Sequence, residues 1–197
     1  MLIGVLSVYN EAQFFGRCIR SIREKVDRVI VVDGAYVSFP YDKPWSTDGT
    51  IELARKYADK IITTENAWES QIVKRNRYLL GKEGDWYLMI DGDEELAGIP
   101  KGYEEQDDWN ISLYRTDGIS AYPVYRLFRH RRGIRYFGTH HCLMIGDEIL
   151  NKRKMETIMN CNIIHFNAER KQERVMAKGQ YYRSRTEEKE FRQINKI

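Results

Sequence analysis

The 197-residue chain carries 32 Lys or Arg against 29 Asp or Glu, a net charge of +3, with 42% hydrophobic and 12% aromatic residues. That composition is globular and excludes a disordered or collagenous chain, and the length closes a sizeable core without staples. So small a net charge gives no argument for nucleic acid as a partner.

The amino terminus, MLIGVLSVYNE, has an apolar run far shorter than a membrane span and no basic leader, so the sequence reads as a soluble intracellular protein. Leu2 to Val8 is a β-prone run. It ends at Tyr9, where Asn10 and Gln13 suggest a capping box for a helix whose inner face is Phe14, Phe15, Cys18, Ile19 and Ile22. Arg28 to Val32 is a second buried strand, delivering Asp33 and Gly34 to its end. Two strands around an amphipathic helix make a right-handed βαβ unit the default. The connection from Ala35 to Trp45 is long and holds two prolines, which marks it as functional or mobile.

Ser46 or Thr47 is placed to cap the next helix, with Ile51, Ala54 and Tyr57 inward, and Lys60 to Thr64 reads as a third strand. Glu69 to Leu80 is helical in pattern and carries Lys74, Arg75 and Arg77 among its polar positions. Trp86 to Ile90 is apolar without alternation, as in a strand buried on both faces, and it delivers the triplet Asp91, Gly92, Asp93. Ligands in open α/β sheets collect at the carboxyl ends of such strands. Extended backbone turns both carboxylates to one side, where they suit a hard cation or a polyphosphate, and Gly92 keeps the backbone bare for close approach. Two carboxylates after a strand suit a turn with a helix cap equally well.

Four strands alternating with three helices in the first ninety-odd residues indicate a Rossmann-like half-domain. No GxGxxG or GxxxxGK follows the first strand, which argues against dinucleotide and P-loop sites. After Pro100 the runs Asn110 to Arg115, Val124 to Arg129, Ile134 to Phe137 and Ile158 to His165 predict a mixed or antiparallel extension. Arg126, Arg129, Arg131, Arg132 and Arg135 are dense enough to bind an anion, or protect a hairpin edge. From Ala168 the pattern is one long helix with nine Lys or Arg against five Asp or Glu, which either packs on its own domain or lies on an anionic membrane surface. The expected organisation is therefore residues 1–97, 98–167 as the other half of the same domain, and a basic helix over 168–197. Cys18, Cys142 and Cys161 lack metal-type spacing and fit reduced thiols, with a Cys142–Cys161 pair left open.

Taken together, VLSVYNE, VVDG, STDGT, KRN and MIDGDEEL resemble, in order and spacing, the nucleotide-sugar-binding half of GT-A fold, family-2-type glycosyltransferases. RLFR, FGTHH and IIHF are similar, more loosely, to the non-processive subgroup, and the chain's length is similar to that of small transferases encoded by crenarchaeal viruses. The resemblance implies a nucleotide diphosphate sugar as donor, a divalent metal (Mn²⁺ or Mg²⁺), and a glycan, lipid-linked or protein acceptor. It implies that Ser7, Val8, Tyr9, Glu11 and Asp33 hold base and ribose, that Arg75 and Asn76 close that pocket beside Gly92, that Asp91 reaches ribose or the metal's shell, and that Asp93 and His165 ligate the metal. A lone strand-end histidine is more often a satisfied structural residue.

The His-Glu pair of the subgroup is replaced here by His140, His141 and Cys142, so Asp117 and His141 are the candidate general bases; Asp117 in TDG also suits a turn. The expected activity is inverting transfer in the cytoplasm, or the host cytoplasm for a virus, with peripheral membrane contact through the last helix. A nucleotidyltransferase and a non-catalytic nucleotide-sugar-binding protein are the alternatives.

Overall fold

Leu2–Val8 forms β1, and its side chains alternate between two apolar layers: Leu2, Leu6 and Val8 face one, Ile3 and Val5 the other. Burial on both faces is what the unbroken apolar run predicts. In this computed structural model, described for residues 1–197 except 38, 107–109, 139–141, 151–155, 167–171, 173–174, 178 and 181–197, β1 pairs in parallel with β2 (Arg28–Asp33) and β4 (Trp86–Met89). β3 (Lys60–Ile62) adds in parallel outside β2. The expected Rossmann-like half is present.

Helix α1 (Ala12–Arg23) buries Phe14, Phe15, Cys18, Ile19 and Ile22, the predicted inner face. Its capping differs from expectation, since the N-cap is Glu11, which makes no side-chain cap hydrogen bond to the first-turn donors. The donors are met from the STDGT segment instead: Ser46 Oγ accepts from Asn10 N at 2.7 Å, Thr50 Oγ1 from Glu11 N at 2.8 Å and Asp48 Oδ2 from Ala12 N at 2.9 Å. Ser46 and Thr47 therefore do not cap α2 (Thr50–Tyr57), whose N-cap is Gly49. Helix α3 is shorter than its pattern, Gln71–Asn76, capped by Ser70 Oγ on Val73 N. Lys74 and Arg75, expected at polar positions, are buried.

The second half does not form a layer of its own. β6 (Asn110–Thr116) and β7 (Ala121–Arg129) make a hairpin, and β7 docks antiparallel on β4. β11 (Glu156–His165) runs parallel to β6, and β5 (Glu94–Gly98), a strand the sequence pattern did not suggest, closes the sheet on β11. The order is β3-β2-β1-β4-β7-β6-β11-β5. A small second sheet joins β8 (Ile134–Tyr136), β9 (Leu143–Ile145) and β10 (Glu148–Ile149). The chain thus leaves β4 through the Asp-Gly-Asp turn, crosses to the far edge as β5, and returns as β6 and β7 beside β4.

All three cysteines are buried and none forms a disulfide, so the Cys142–Cys161 pair is not made. No helix among the described residues is long and apolar enough to cross a membrane. The basic helix expected over 168–197 lies for the most part outside the described residues.

Gly34 ends β2 with φ +127°, and a Cβ there would meet Trp68 Nε1 at 2.7 Å and the Pro44 carbonyl at 2.9 Å. Gly34→Ala is expected to lose roughly 1–3 kcal/mol, the scale of a strained non-glycine backbone. Gly84, with φ +88° and nothing within 4 Å of its Cβ position, is the control, and Gly84→Ala carries the backbone term alone. Equal losses of thermal midpoint in the two variants would contradict the crowding argument.

Candidate active site

β4 ends where two buried guanidinium groups meet a part-exposed carboxylate. Arg75 Nη2 from α3 donates to Asp91 Oδ1 at 2.5 Å, and Arg126 Nη2 from β7 reaches Asp91 Oδ2 at 3.3 Å. Both guanidinium side chains are 2% exposed, whereas the Asp91 side chain is 24% exposed. Asp91 is therefore the member of this trio that meets the open carboxyl edge, with its orientation fixed from behind. Burial opposes the charge on both arginines; Asp91 beside Arg75, and Glu94 with Asp91 beside Arg126, overcome it and hold both pKa values above the usual value.

Glu94, the first residue of β5, is fully buried and makes three contacts. Its Oε1 accepts from Arg126 Nη2 at 2.5 Å and lies 2.9 Å from Arg115 Nε, while Oε2 accepts from Asp91 N at 2.9 Å. Burial raises its pKa, the Arg126 charge pulls it back, and Asp91 and Asp93 push it up again. One carboxylate thus ties β5, β6 and β7 to the Asp-Gly-Asp turn, the hydrogen-bonded arrangement a buried charge requires.

Asp93 faces a different partner. Its Oδ2 lies 2.9 Å from His165 Nε2, and its carbonyl accepts from Phe166 N, so the end of β11 is pinned to the turn. Asp91, which the resemblance places at the ribose or in the metal's shell, turns to two arginines, and among the described residues no group of three or more His, Cys, Asp or Glu could hold a metal ion. Asp93 and His165 by themselves fit a hard cation. Such ions use one or two protein ligands and take the remainder from phosphate oxygens and water.

The nucleotide-side residues gather at the ends of β1 and β2. Lys74 Nζ, fully buried, donates to the carbonyls of Val8 at 2.5 Å and Gly34 at 2.6 Å, and so fixes the gap between these strands. Ser7 Oγ is buried without a hydrogen-bond partner, a vacancy of the kind ligands fill. Tyr9 Oη donates to the Lys43 carbonyl, anchoring the long loop. A Cβ on Gly92 would come 3.1 Å from Val8 and 3.2 Å from Glu11, so the glycine is what lets the turn approach β1. Asp33 is fully buried, and it accepts from Ser46 N at 2.9 Å and Ser46 Oγ at 2.5 Å. Burial raises its pKa, while Ser46 and Lys74 pull it back. Its visible work is to hold the STDGT segment that caps α1.

Of the two candidate bases, Asp117 is not brought to this cluster. It lies in the exposed turn between β6 and β7, where Oδ1 accepts from Ile119 N at 3.0 Å and Ser120 N at 2.9 Å; these bonds hold its pKa below the usual value. From Ala121 to Arg126 the hairpin runs five residues, about 17 Å at strand rise, before it reaches Asp91. The turn reading of TDG is the one the structure supports. His141 lies outside the described residues. The arginine-dense segment is no single anion site either: Arg126 faces the cluster, Arg129 stacks over Trp86, Arg131 pairs with Glu83 and Arg135 donates to the Gly146 carbonyl. Sequence reasoning missed Glu94, Arg115 and Lys74 as site-shaping groups, and only the local density of arginines hinted at Arg126.

The sequence profile of a family described as "Glycosyl transferase family 2" matches residues 5–154. An uncharacterized glycosyltransferase of Rickettsia felis is 30% identical over 122 residues, covering 62% of this chain and 38% of that protein. A TPR repeat-containing protein of Synechococcus elongatus is 27% identical over 159 residues, covering 76% of this chain and 36% of its own length. The chain spans little more than a third of these curated relatives. Among solved structures, Staphylococcus aureus TarS 1-349 in complex with UDP-GlcNAc aligns with a TM-score of 0.43 at 18% identity, over 60% of this chain and 36% of that one. Glucosyl-3-phosphoglycerate synthase of Mycobacterium tuberculosis, in complex with Mn²⁺, UDP and glucosyl-3-phosphoglycerate, aligns with a TM-score of 0.43 at 20% identity, over 60% of this chain and 45% of that one.

Proposed function

The chain belongs to glycosyl transferase family 2, and on that premise we propose that it moves one sugar from a nucleotide diphosphate sugar to a hydroxyl acceptor, with inversion and with a divalent metal. The observation that carries this reading is the paired arrangement at the carboxyl edge: Asp91 clamped by Arg75 and Arg126, beside Asp93 against His165. The proposal places the nucleoside along Ser7, Val8 and Tyr9, against Gly92, with Asp91 held by its arginines to meet the ribose. Asp93 and His165 would hold the cation, which when bound neutralises charge on the departing diphosphate. Arg75 and Arg126 add fixed positive charge a few ångströms behind, where a low-dielectric surround strengthens it. A base then takes the acceptor proton as the bond to the sugar forms.

The test is a screen of UDP-, GDP-, CDP- and dTDP-sugars with Mn²⁺ or Mg²⁺, with the released nucleotide identified. Release of free nucleoside diphosphate is the expected result. Release of pyrophosphate would identify a nucleotidyltransferase instead, and metal-dependent binding without any release under acceptor screening would identify a binding protein.

A further inference from the structure

Beside the Asp91 cluster, the β6–β7 hairpin holds a cleft of about 290 Å³ lined by Arg115, Tyr122, Pro123, Val124, Tyr125 and Arg126. We propose that this cleft is the acceptor site and that its acceptor carries an anionic group, a phosphate or carboxylate, on a sugar or polyol. The inference rests on the transferase reading and adds the chemical class of the acceptor to it.

The register of the hairpin builds the cleft. Arg115 pairs with Tyr122 and Leu113 with Val124, which puts Arg115, Tyr122 and Val124 on one face; the register then shifts, leaving Arg126 between Tyr125 and Leu127 without a β6 partner, and its guanidinium meets the same Glu94 Oε1 as Arg115 Nε. Both charged groups among the described lining residues are guanidiniums, and none of these residues is a carboxylate. The acid that balances them, Glu94, is fully buried behind, with Oε1 against both Arg126 Nη2 and Arg115 Nε. An incoming ligand therefore meets the positive side of that pair. Arg126 Nε, on a side chain 2% exposed, has no hydrogen-bond partner, a cost normally avoided in a buried group. Arg115 is more open, with its side chain 19% exposed, and its Nη1 donates to Tyr122 Oη at 2.7 Å. That bond fixes the guanidinium plane, and a planar fork held in place is the form that recognises carboxylate or phosphate well. Tyr122, Pro123, Val124 and Tyr125 give the remaining wall an apolar character suited to the C–H face of a sugar ring. The volume is near the lower end of small-molecule sites, roughly 300 Å³, which fits one monosaccharide-sized unit rather than a polymer segment. Because Arg126 also touches Asp91, the cleft opens beside the group assigned to the donor.

The test measures binding by calorimetry to the full chain, with and without Mn²⁺ and the nucleoside diphosphate that binds best. The probes are glucose 6-phosphate, glycerol 3-phosphate and glucuronate, each against its neutral counterpart, methyl glucoside or glycerol, and inorganic phosphate alone. At least one charged probe is expected to bind about tenfold or more tightly than its neutral counterpart and than inorganic phosphate. In Arg115→Gln that preference should fall at least about fivefold, a larger factor than any accompanying loss of nucleoside diphosphate affinity. Arg115→Lys keeps the charge and should keep most of the preference, and a matched thermal midpoint in the two variants excludes misfolding as the cause. Preference for the phosphates or for glucuronate assigns the anion. Equal affinity for charged and neutral probes, a preference that survives Arg115→Gln, or inorganic phosphate binding as well as any sugar phosphate would overturn the proposal. If no nucleoside diphosphate binds, the transferase reading fails separately, and the probe series on the unliganded chain still reports on the cleft.

Discussion

Asp93→Ala is expected to abolish the metal dependence of nucleoside diphosphate binding while the fold persists. Asp93 is buried at the head of β5, and its carboxylate faces the His165 imidazole at 2.9 Å. Alanine removes the oxygen donor but leaves the bond from Phe166 N to the Asp93 carbonyl, so the turn stays pinned to β11. The affinity lost should be at least about 100-fold, since disturbing a mere outer-shell partner of a metal typically costs 10–100-fold. The structural loss is smaller: an imidazole left without its partner costs about 1–3 kcal/mol, or several degrees of thermal midpoint for a chain of this size. Calorimetry with and without Mn²⁺ separates the two effects. An Asp93→Ala protein that binds the diphosphate with undiminished metal dependence would remove the metal from Asp93 and His165. The parallel variant Asp91→Asn should behave differently, because Asp91 is held by Arg75 and Arg126 rather than by His165. It should weaken binding both with and without the cation.

How much of this arrangement the sequence disclosed follows from the range over which each feature acts. The apolar runs of β1, β2 and β4 and the inner face of α1 are local patterns, and burial on both faces leaves no alternation to mislead. The carboxylate triplet was legible for the same reason: strand ends in such sheets are where ligands gather. The capping of α1 was not, because its oxygen acceptors lie about forty residues downstream in STDGT and the local Asn10–Gln13 pattern offers a cheaper, wrong answer. Lys74 and Arg75 look like solvated helix positions by period alone. They are buried because two strand-end carbonyls and the Asp91 carboxylate pay their desolvation, contacts no window of sequence contains. Glu94 is hidden twice over, as a charged residue at the start of a short strand and as the shared partner of two arginines more than twenty residues ahead.

Asp117→Asn is expected to keep turnover within a few-fold of the parent. Its Oδ1 closes the hairpin turn through Ile119 N and Ser120 N, and asparagine offers the same oxygen to the same donors. The bonds that hold its pKa down stabilise the charged form, which makes it a weaker base as well as a distant one. His141, the other candidate the sequence offered, lies outside the described residues, and we propose it as the base. A base contributes typically 10²- to 10⁴-fold to a displacement of this kind, so His141→Ala should lose that much in kcat while donor and metal affinity hold. Should Asp117→Asn be the inactive variant and His141→Ala retain full turnover, the hairpin would have to fold its tip back over Asp91 during catalysis, and the assignment given to His141 would be wrong.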